Sequence, residues 1–172
     1  MLQKAKEKQQ ENTNGNTHKM VTSAQALRKY GSPVDDKATA VNENTLFETR
    51  HMVLWDVPDD INREIPAIPN RIYCNRDIQR PLETAFRNII ARKLQSQVKT
   101  WDGCFNIRNK RGLSSMSLHS WGIAIDINAA WNGLNRTPTM SRELVKCFTD
   151  VGFDWGGNWT RRDGMHFQLS RI

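Results

Sequence analysis

The chain has 172 residues, of which 38% are hydrophobic and 25% charged, so it is long enough for one globular domain with a buried core. No apolar run reaches membrane-spanning length and residues 1–19 lack a hydrophobic signal core, so we expect synthesis in the cytoplasm, no export signal and no membrane insertion. The net charge of +7 allows attraction to polyanions, but the basic residues are scattered among acidic ones and form no recognition helix, so we expect no nucleic-acid partner.

The chain divides at about residue 20. Residues 1–19 are rich in Lys, Gln, Asn and Glu without apolar periodicity, which predicts a polar, flexible tail. We expect residues 20–172 to form a single domain. The three cysteines are odd in number, widely spaced and without a CxxC pair, so free buried thiols are expected rather than a disulfide framework. They are Cys74, Cys104 and Cys147.

The first half of the chain contains three predicted elements. Ser23 is the predicted N-cap of a short helix over 24–30, which Gly31 ends. Residues 46–57 are rich in β-branched and aromatic side chains, which predicts a strand that ends at the following Pro-Asp-Asp run. Residues 72–74 predict a short edge strand.

Two amphipathic helices are predicted further along the chain. The first opens at Pro81, and its apolar residues recur at steps of three and four, so one stripe faces the core. These residues are Leu82, Phe86, Ile89, Ile90, Leu94 and Val98. The second covers 141–150 with its first residue as the N-cap, after a turn-rich loop over 129–139. Beyond it, Gly156 and Gly157 are expected to permit close approach of the backbone to a ligand.

Two later segments carry side chains that can bind a metal ion. Residues 122–128 and 164–169, interpreted as strands, each place apolar side chains on one face and small or polar ones on the other. Asp126 and His166 lie on the polar faces, and His119 lies seven positions before the aspartate. Two histidines and one carboxylate suit zinc, because catalytic zinc sites use three protein ligands and keep a fourth position for water.

Such a site also needs a general base, and Asp163 is the candidate. It lies three residues before His166, an offset that in an ideal strand would send its side chain to the opposite face. We therefore expect Asp163 in the preceding loop, with its carboxylate directed back towards the metal. There it would accept the proton of the water and pass it to the leaving amine.

With these residues the chain resembles the zinc peptidases of the peptidoglycan DD-carboxypeptidase and endolysin superfamily, the M15-like group. Their first pattern, SxHxxGxAxD, is matched by Ser117, His119, Gly122, Ala124 and Asp126. Their second pattern, an acid three residues before a histidine, is matched by Asp163 and His166. The resemblance covers about residues 68–170. It implies an α+β fold in which two or three helices pack on a small antiparallel sheet that carries the zinc, as in the related Hedgehog domain.

The resemblance implies roles for individual residues. The implied zinc ligands are His119, Asp126 and His166, and the implied catalytic base is Asp163. Members of the superfamily carry an arginine upstream of the first motif that polarises the scissile carbonyl. We match Arg108 to it, with Arg111 as the competitor. Ser117 and Trp159 are expected to contact the substrate or to shape the approach to the metal.

The implied function is zinc-dependent hydrolysis of peptide bonds in peptidoglycan stem peptides, of either the D-Ala-D-Ala carboxypeptidase or the L-Ala-D-Glu endopeptidase type. Because the chain shows no export signal, we expect a phage endolysin made in the host cytoplasm, or a lysin carried on the virion beside other virion proteins. The basic surface fits attraction to the polyanionic bacterial wall. The alternative is a virion structural or assembly protein that keeps a zinc-stabilised, peptidase-like binding domain.

Overall fold

The computed structural model describes residues 19–34 and 46–172, so the predicted tail lies outside the described residues apart from its last position. The helices are α1 (Ser23–Tyr30), α2 (Leu46–His51), α3 (Asp59–Glu64), α4 (Arg76–Ala91) and α5 (Arg142–Thr149). The strands are β1 (Met52–Asp56), β2 (Arg71–Asn75), β3 (Trp101–Gly103), β4 (Ala124–Ile127), β5 (Phe153–Trp155) and β6 (His166–Leu169). Short 3-10 turns cover Gln95–Gln97, Leu118–Trp121 and Gly156–Asn158.

The strands form two antiparallel sheets. β1 pairs with β2, and the second sheet has the strand order β3-β4-β6-β5. In the second sheet Asp126 on β4 lies directly opposite His166 on β6. Because directly opposed residues of antiparallel strands have neighbouring side chains, strand pairing alone brings these two residues together. The expected α+β fold is confirmed, with five helices in the described ranges where two or three were expected.

One face of the four-stranded sheet packs against helices. Phe167 on β6 is fully buried, and its ring centroid lies 4.4 Å from that of Phe148 on α5. Ile125 and Ile127 of β4 are fully buried as well. The buried stripe of α4 consists of Ile78, Leu82, Ala85, Phe86 and Ile89. The apolar side chains of the two central strands are therefore part of the core, and the opposite face of these strands is left for polar residues.

The strand predicted over 46–57 is wrong in its first half. Its first six residues form α2, and β1 follows directly. Phe47 and His51 are four residues apart, so a helix places both on one side, where their rings contact that of Tyr30. This contact with α1 outweighs the β propensity of the segment. Helix α3 was not predicted, and the fully buried Ile61 anchors it to the core.

Helix α4 differs from the prediction at both ends. It begins directly after Asn75, whose side chain caps it by accepting a hydrogen bond from the Asp77 N–H, so Pro81 lies inside the helix. It ends before Lys93, which turns the chain with a left-handed φ of 57°. The last two residues of the predicted apolar stripe consequently lie beyond the helix.

Other local predictions are confirmed. Gly31 follows α1 with φ 83°, although Thr22 rather than Ser23 is the N-cap. Ser141 caps α5 by accepting a hydrogen bond from the Leu144 N–H. The three cysteines are buried and free. Within the described ranges, no helix is both long and apolar enough to cross a membrane.

Candidate metal centre and active-site cleft

Three side chains converge beside the four-stranded sheet. His119 comes from the turn Leu118–Trp121, Asp126 from β4 and His166 from β6. His119 Nε2 lies 3.2 Å from both His166 Nδ1 and Asp126 Oδ2, and His166 Nδ1 lies 3.2 Å from Asp126 Oδ1. The three residues are buried. The structure thus brings together the residues that the sequence predicted as ligands, in an arrangement that could hold a metal ion.

The first half of the SxHxxGxAxD pattern forms a turn. Ser117 caps this turn, with its Oγ 3.4 Å from the His119 backbone nitrogen. Gly122 ends the turn with φ 63°. A Cβ on Gly122 would lie 2.8 Å from the backbone nitrogen of Asn75 and 2.7 Å from the side chain of Met52. Glycine is therefore required here for both conformation and space, and β4 begins only after the turn.

Both imidazole rings direct a lone pair at the point of convergence. The outer nitrogen of His119, Nδ1, lies 2.7 Å from the Cys104 carbonyl oxygen. A carbonyl only accepts hydrogen bonds, so Nδ1 carries the hydrogen and Nε2 keeps its lone pair. The outer nitrogen of His166, Nε2, lies 3.2 Å from Gln168 Oε1. Together with the Asp126 carboxylate, three electron-pair donors meet within 4.8 Å, which fits a cation such as zinc.

Charge interactions keep Asp126 ionised. Burial raises the pKa of Asp126, but the hydrogen bonds and charges of His119 and His166 outweigh it and hold this pKa well below its ordinary value. Burial lowers the pKa of His166, while the hydrogen bond and charge of Asp126 raise it more, so that pKa lies above its ordinary value. Asp126 is therefore available as an anionic ligand, and metal binding would compete with protonation of the His166 ring.

Asp163 lies in the loop before β6, as predicted. Its carbonyl accepts a hydrogen bond from the His166 N–H at 3.1 Å, and its own N–H donates to the Gly156 carbonyl at 2.9 Å. Its Oδ1 is buried and has no hydrogen-bond partner among the described residues. Burial raises the pKa of Asp163, against the lowering effect of the His166 charge. A half-buried carboxylate with one unpartnered oxygen, in the same cleft as the converging side chains, is suited to exchange a proton with a bound molecule.

The two glycines after β5 make room for the protein's own chain, so the prediction that they approach a ligand is wrong. A Cβ on Gly156 would overlap the backbone oxygen of Asp163. A Cβ on Gly157 would overlap the ring of Trp155. Gly156 therefore lets the loop that carries Asp163 pack closely against the turn after β5, which sets the position of this carboxylate.

Two of the three converging side chains line a cleft of about 320 Å³. Asp126, Asp163 and His166 all line this cleft. Basic side chains in its lining belong to Arg108, Lys110, Arg111 and Arg161. Apolar side chains in its lining include those of Leu113, Leu134, Trp159 and Met165. A cleft of this size with cationic and apolar walls suits a short peptide that carries carboxylates.

The two arginines considered for polarising the scissile carbonyl both line the cleft. Arg108 lies in a well-held segment, because its N–H donates to Ser120 Oγ and its carbonyl accepts from the Ser117 N–H. Arg111 is exposed, and its charge opposes the rise that burial causes in the pKa of Asp163. Position therefore keeps both as candidates: the backbone of Arg108 is held by two hydrogen bonds, and the charge of Arg111 acts on Asp163.

The two residues predicted to contact the substrate also line the cleft. Trp159 is partly exposed, and its ring centroid lies 5.4 Å from that of His166. Ser117 is only 4% exposed, and its hydroxyl already caps the turn that carries His119. Trp155, by contrast, packs against the core. Trp159 is thus the tryptophan of this segment that a substrate can reach.

Several groups that support the site were missed from the sequence. Gln168 lies on the same face of β6 as His166, a signal that the alternation of the strand contained. The Cys104 carbonyl is a backbone group and has no signature in the sequence. Arg161 also lines the cleft, but a single basic residue cannot be assigned to a cleft from spacing alone.

The comparisons with known proteins concern the same part of the chain. Residues 110–169 match the family model described as D-alanyl-D-alanine carboxypeptidase. No curated protein and no solved structure gives a significant match. The matched residues include both sequence patterns, and with them His119, Asp126, Asp163 and His166. The match confirms the resemblance of this site-bearing segment to the M15-like zinc peptidase superfamily.

Proposed function

We propose that the protein is a zinc-dependent peptidase that hydrolyses peptide bonds in the stem peptides of peptidoglycan, with residues 20–172 as its single catalytic domain. The observation that carries this proposal is the half-buried Asp163, whose Oδ1 is buried without a hydrogen-bond partner among the described residues, in the same cleft as Asp126 and His166. A metal site that served only to stabilise the fold would need the three ligands but no unpaired acid. The match to D-alanyl-D-alanine carboxypeptidases supports the same activity.

In this proposal His119 Nε2, His166 Nδ1 and a carboxylate oxygen of Asp126 would hold the zinc ion. When bound, the ion would act as a Lewis acid and would lower the pKa of a water molecule. The protein keeps the three donors aligned and directs a lone pair of each towards the place of the ion. The two rings are oriented by hydrogen bonds that their outer nitrogens donate, from His119 to the Cys104 carbonyl and from His166 to the Gln168 side chain.

Asp163 acts first as general base and then as general acid. Its carboxylate takes a proton from the attacking water while the bond from the water oxygen to the carbonyl carbon forms. It returns this proton to the amine nitrogen as the carbon–nitrogen bond breaks. Because burial raises the pKa of this carboxyl, it holds the transferred proton more readily than an exposed aspartate would.

The scissile carbonyl oxygen gains negative charge during the attack and needs a positive partner. Arg108 is the proposed partner and Arg111 its competitor, since both line the cleft. Removing one such donor typically costs about 2.7–4 kcal/mol of transition-state stabilisation. Trp159 and Ser117 are proposed to contact the substrate on the cleft wall.

The charge of the cleft fits the proposed substrate. Stem peptides carry several carboxylates, and four basic side chains line the cleft. Both a D-Ala-D-Ala carboxypeptidase and an L-Ala-D-Glu endopeptidase agree with this lining. The proposed setting is a phage, in which the protein is an endolysin made in the host cytoplasm or a lysin on the virion. The net charge of +7 supports attraction to the polyanionic wall.

Mass spectrometry of purified peptidoglycan fragments tests the proposal, with the protein added in the presence and absence of a chelator. We expect products whose formation the chelator abolishes and added zinc restores. Their masses name the bond, because loss of terminal D-Ala differs from release of the stem peptide at its L-Ala-D-Glu bond. If the protein binds one zinc ion per chain but cleaves neither the D-Ala-D-Ala bond nor the L-Ala-D-Glu bond, the peptidase proposal fails and the binding or assembly alternative is favoured.

A further inference from the structure

The segment before α1 reaches the candidate metal site through Gln168. The Gln168 side chain is buried between this segment and His166. Its Nε2 lies 3.3 Å from the Val21 carbonyl oxygen, and its Oε1 lies 3.2 Å from His166 Nε2. Gln168 and Val21 are 147 residues apart in the chain. A backbone group from the start of the described chain thus contacts the partner of a candidate metal ligand.

The Val21 carbonyl sets the direction of this chain of hydrogen bonds. A carbonyl oxygen only accepts, so the amide nitrogen of Gln168 must face Val21 and the amide oxygen must face His166. The amide oxygen also only accepts, so His166 Nε2 must carry the hydrogen. His166 Nδ1 then presents its lone pair to the side that holds Asp126 and His119. The two histidines therefore offer different ring nitrogens, Nδ1 in one and Nε2 in the other.

The segment that supplies this carbonyl is itself firmly docked. At its start, Ser23 Oγ donates a hydrogen bond to the Met116 carbonyl at 2.6 Å. At its end, the Gly31 carbonyl accepts one from Trp121 Nε1 at 2.9 Å. Trp121 belongs to the same turn as His119. Helix α1 is thus attached to the turn of one histidine and, through Gln168, to the ring of the other.

We propose that Gln168 is a positioning residue: the Val21 carbonyl orients its side-chain amide, and this amide orients the His166 ring. Residues 20–31 therefore contribute to the geometry of the metal site. This inference rests on the proposed function, since it takes His166 as a metal ligand. The segment lies outside the 110–169 match, so the family comparison does not account for it. Val21 also lines the cleft together with Met20, so the same segment forms part of its wall.

Three variants of the full chain separate this role from ordinary packing. Gln168→Leu removes both hydrogen bonds. Gln168→Glu keeps an acceptor for the His166 Nε2–H but cannot donate to the Val21 carbonyl. The matched control is Gln95→Leu, which removes a glutamine hydrogen bond to Glu64 outside the cleft.

The primary readout is the zinc dissociation constant, measured by competition with a chelating dye, which does not depend on peptidase activity. Gln168→Leu should weaken zinc binding about 10–100-fold, the usual loss when the partner of a ligating histidine is removed. Gln168→Glu should bind zinc close to the wild-type strength, because a carboxylate orients a ligating imidazole well. Gln95→Leu should bind zinc as the wild type does. Unchanged binding in Gln168→Leu overturns the inference.

A second readout needs no variant. In the zinc-loaded wild type with 15N-labelled histidine, NMR should show His119 bound through Nε2 and His166 bound through Nδ1. Coordination of His166 through Nε2 overturns the inference but leaves the peptidase proposal intact. A wild type that binds no zinc overturns both.

The contribution of residues 20–31 is tested by removing hydrogen bonds that hold this segment against the rest of the protein. Ser23→Ala combined with Tyr30→Phe removes the hydrogen bonds to the Met116 carbonyl and to Asp77. If the segment acts through Gln168, this double change should weaken zinc binding in the wild type and have little further effect in Gln168→Leu. Equal losses in both backgrounds would show that the segment does not act through Gln168.

Discussion

Asp163→Asn tests the proposed general base with the smallest change of shape. The Oδ1 atom of Asp163 is buried without a partner, and burial raises the pKa of this carboxyl. Replacing the carboxylate by a neutral amide therefore breaks no hydrogen bond of Oδ1 and relieves the cost of a buried charge. We expect a melting temperature equal to or above that of the wild type. Zinc content should also be retained, since Asp163 is not among the three converging side chains.

The expected loss of activity is large. General acid–base catalysis by one side chain contributes about 10²–10⁴-fold, equal to about 2.7–5.4 kcal/mol of activation free energy. In the proposed mechanism Asp163 serves both the attacking water and the departing amine, so we expect a fall in kcat near the upper limit of about 10⁴-fold. KM should change little, because the lost interaction is made in the transition state.

The assay follows the release of product from purified stem-peptide fragments over time, with zinc content measured on the same samples. Asp56→Asn is the matched control, because this carboxylate is 83% exposed, pairs with Arg71 at the surface and lies outside the cleft. It should keep full activity, since exposed ion pairs contribute little. Full activity of Asp163→Asn would refute the assignment of the base. Loss of activity together with loss of zinc would show that Asp163 is a ligand instead.

Three further predictions follow from other contacts. His119→Ala and His166→Ala should each lose zinc and thermal stability together, because a metal that binds only the folded state stabilises it; elemental analysis with melting curves checks this, and zinc held at unchanged affinity in both variants would place the site elsewhere. Gly122→Ala should lower the free energy of unfolding by more than about 2 kcal/mol, because φ is 63° and the new Cβ would crowd the Asn75 backbone; an unchanged urea midpoint would contradict this. Burial raises the pKa of Asp77, but hydrogen bonds from two α1 side chains outweigh this rise, so the pKa of the folded state lies below the unfolded value of 3.8. This carboxylate therefore stabilises the fold above the unfolded pKa and loses that effect as the pH falls through the folded pKa. The stability difference between wild type and Asp77→Asn should therefore be constant near neutral pH and shrink as the pH falls from about 5 to about 2, as measured by urea unfolding, and a constant difference throughout would count against it.

Much of the candidate site was predictable because its parts are close together in the sequence. His119 and Asp126 are seven residues apart, and Asp163 and His166 are three apart, so one turn, one loop and two short strands arrange them. Alternation along β4 and β6 separates apolar from polar side chains wherever these strands lie in the fold. The cap at Ser141 likewise acts within its own helix turn.

Predictions failed where distant segments meet. Residues 46–51 became helical because Phe47 and His51 contact Tyr30, and this contact is invisible in the propensities of the segment. Gly156 and Gly157 were expected to face a ligand, but the space that they leave is filled by the protein's own chain. Neither outcome can be derived from periodicity, because each depends on which segment packs against which.

The sequence by itself determined which side chains are able to bind a metal ion and to carry a proton, since those abilities belong to residue type and local spacing. The tertiary structure decided which ring nitrogens point inwards, because this depends on backbone carbonyls at Cys104 and, through Gln168, at Val21. It also decided that the Oδ1 atom of Asp163 is buried without a hydrogen-bond partner among the described residues. Every residue has a backbone carbonyl that could accept such a hydrogen bond. Only the packing of remote segments decides which carbonyl does so.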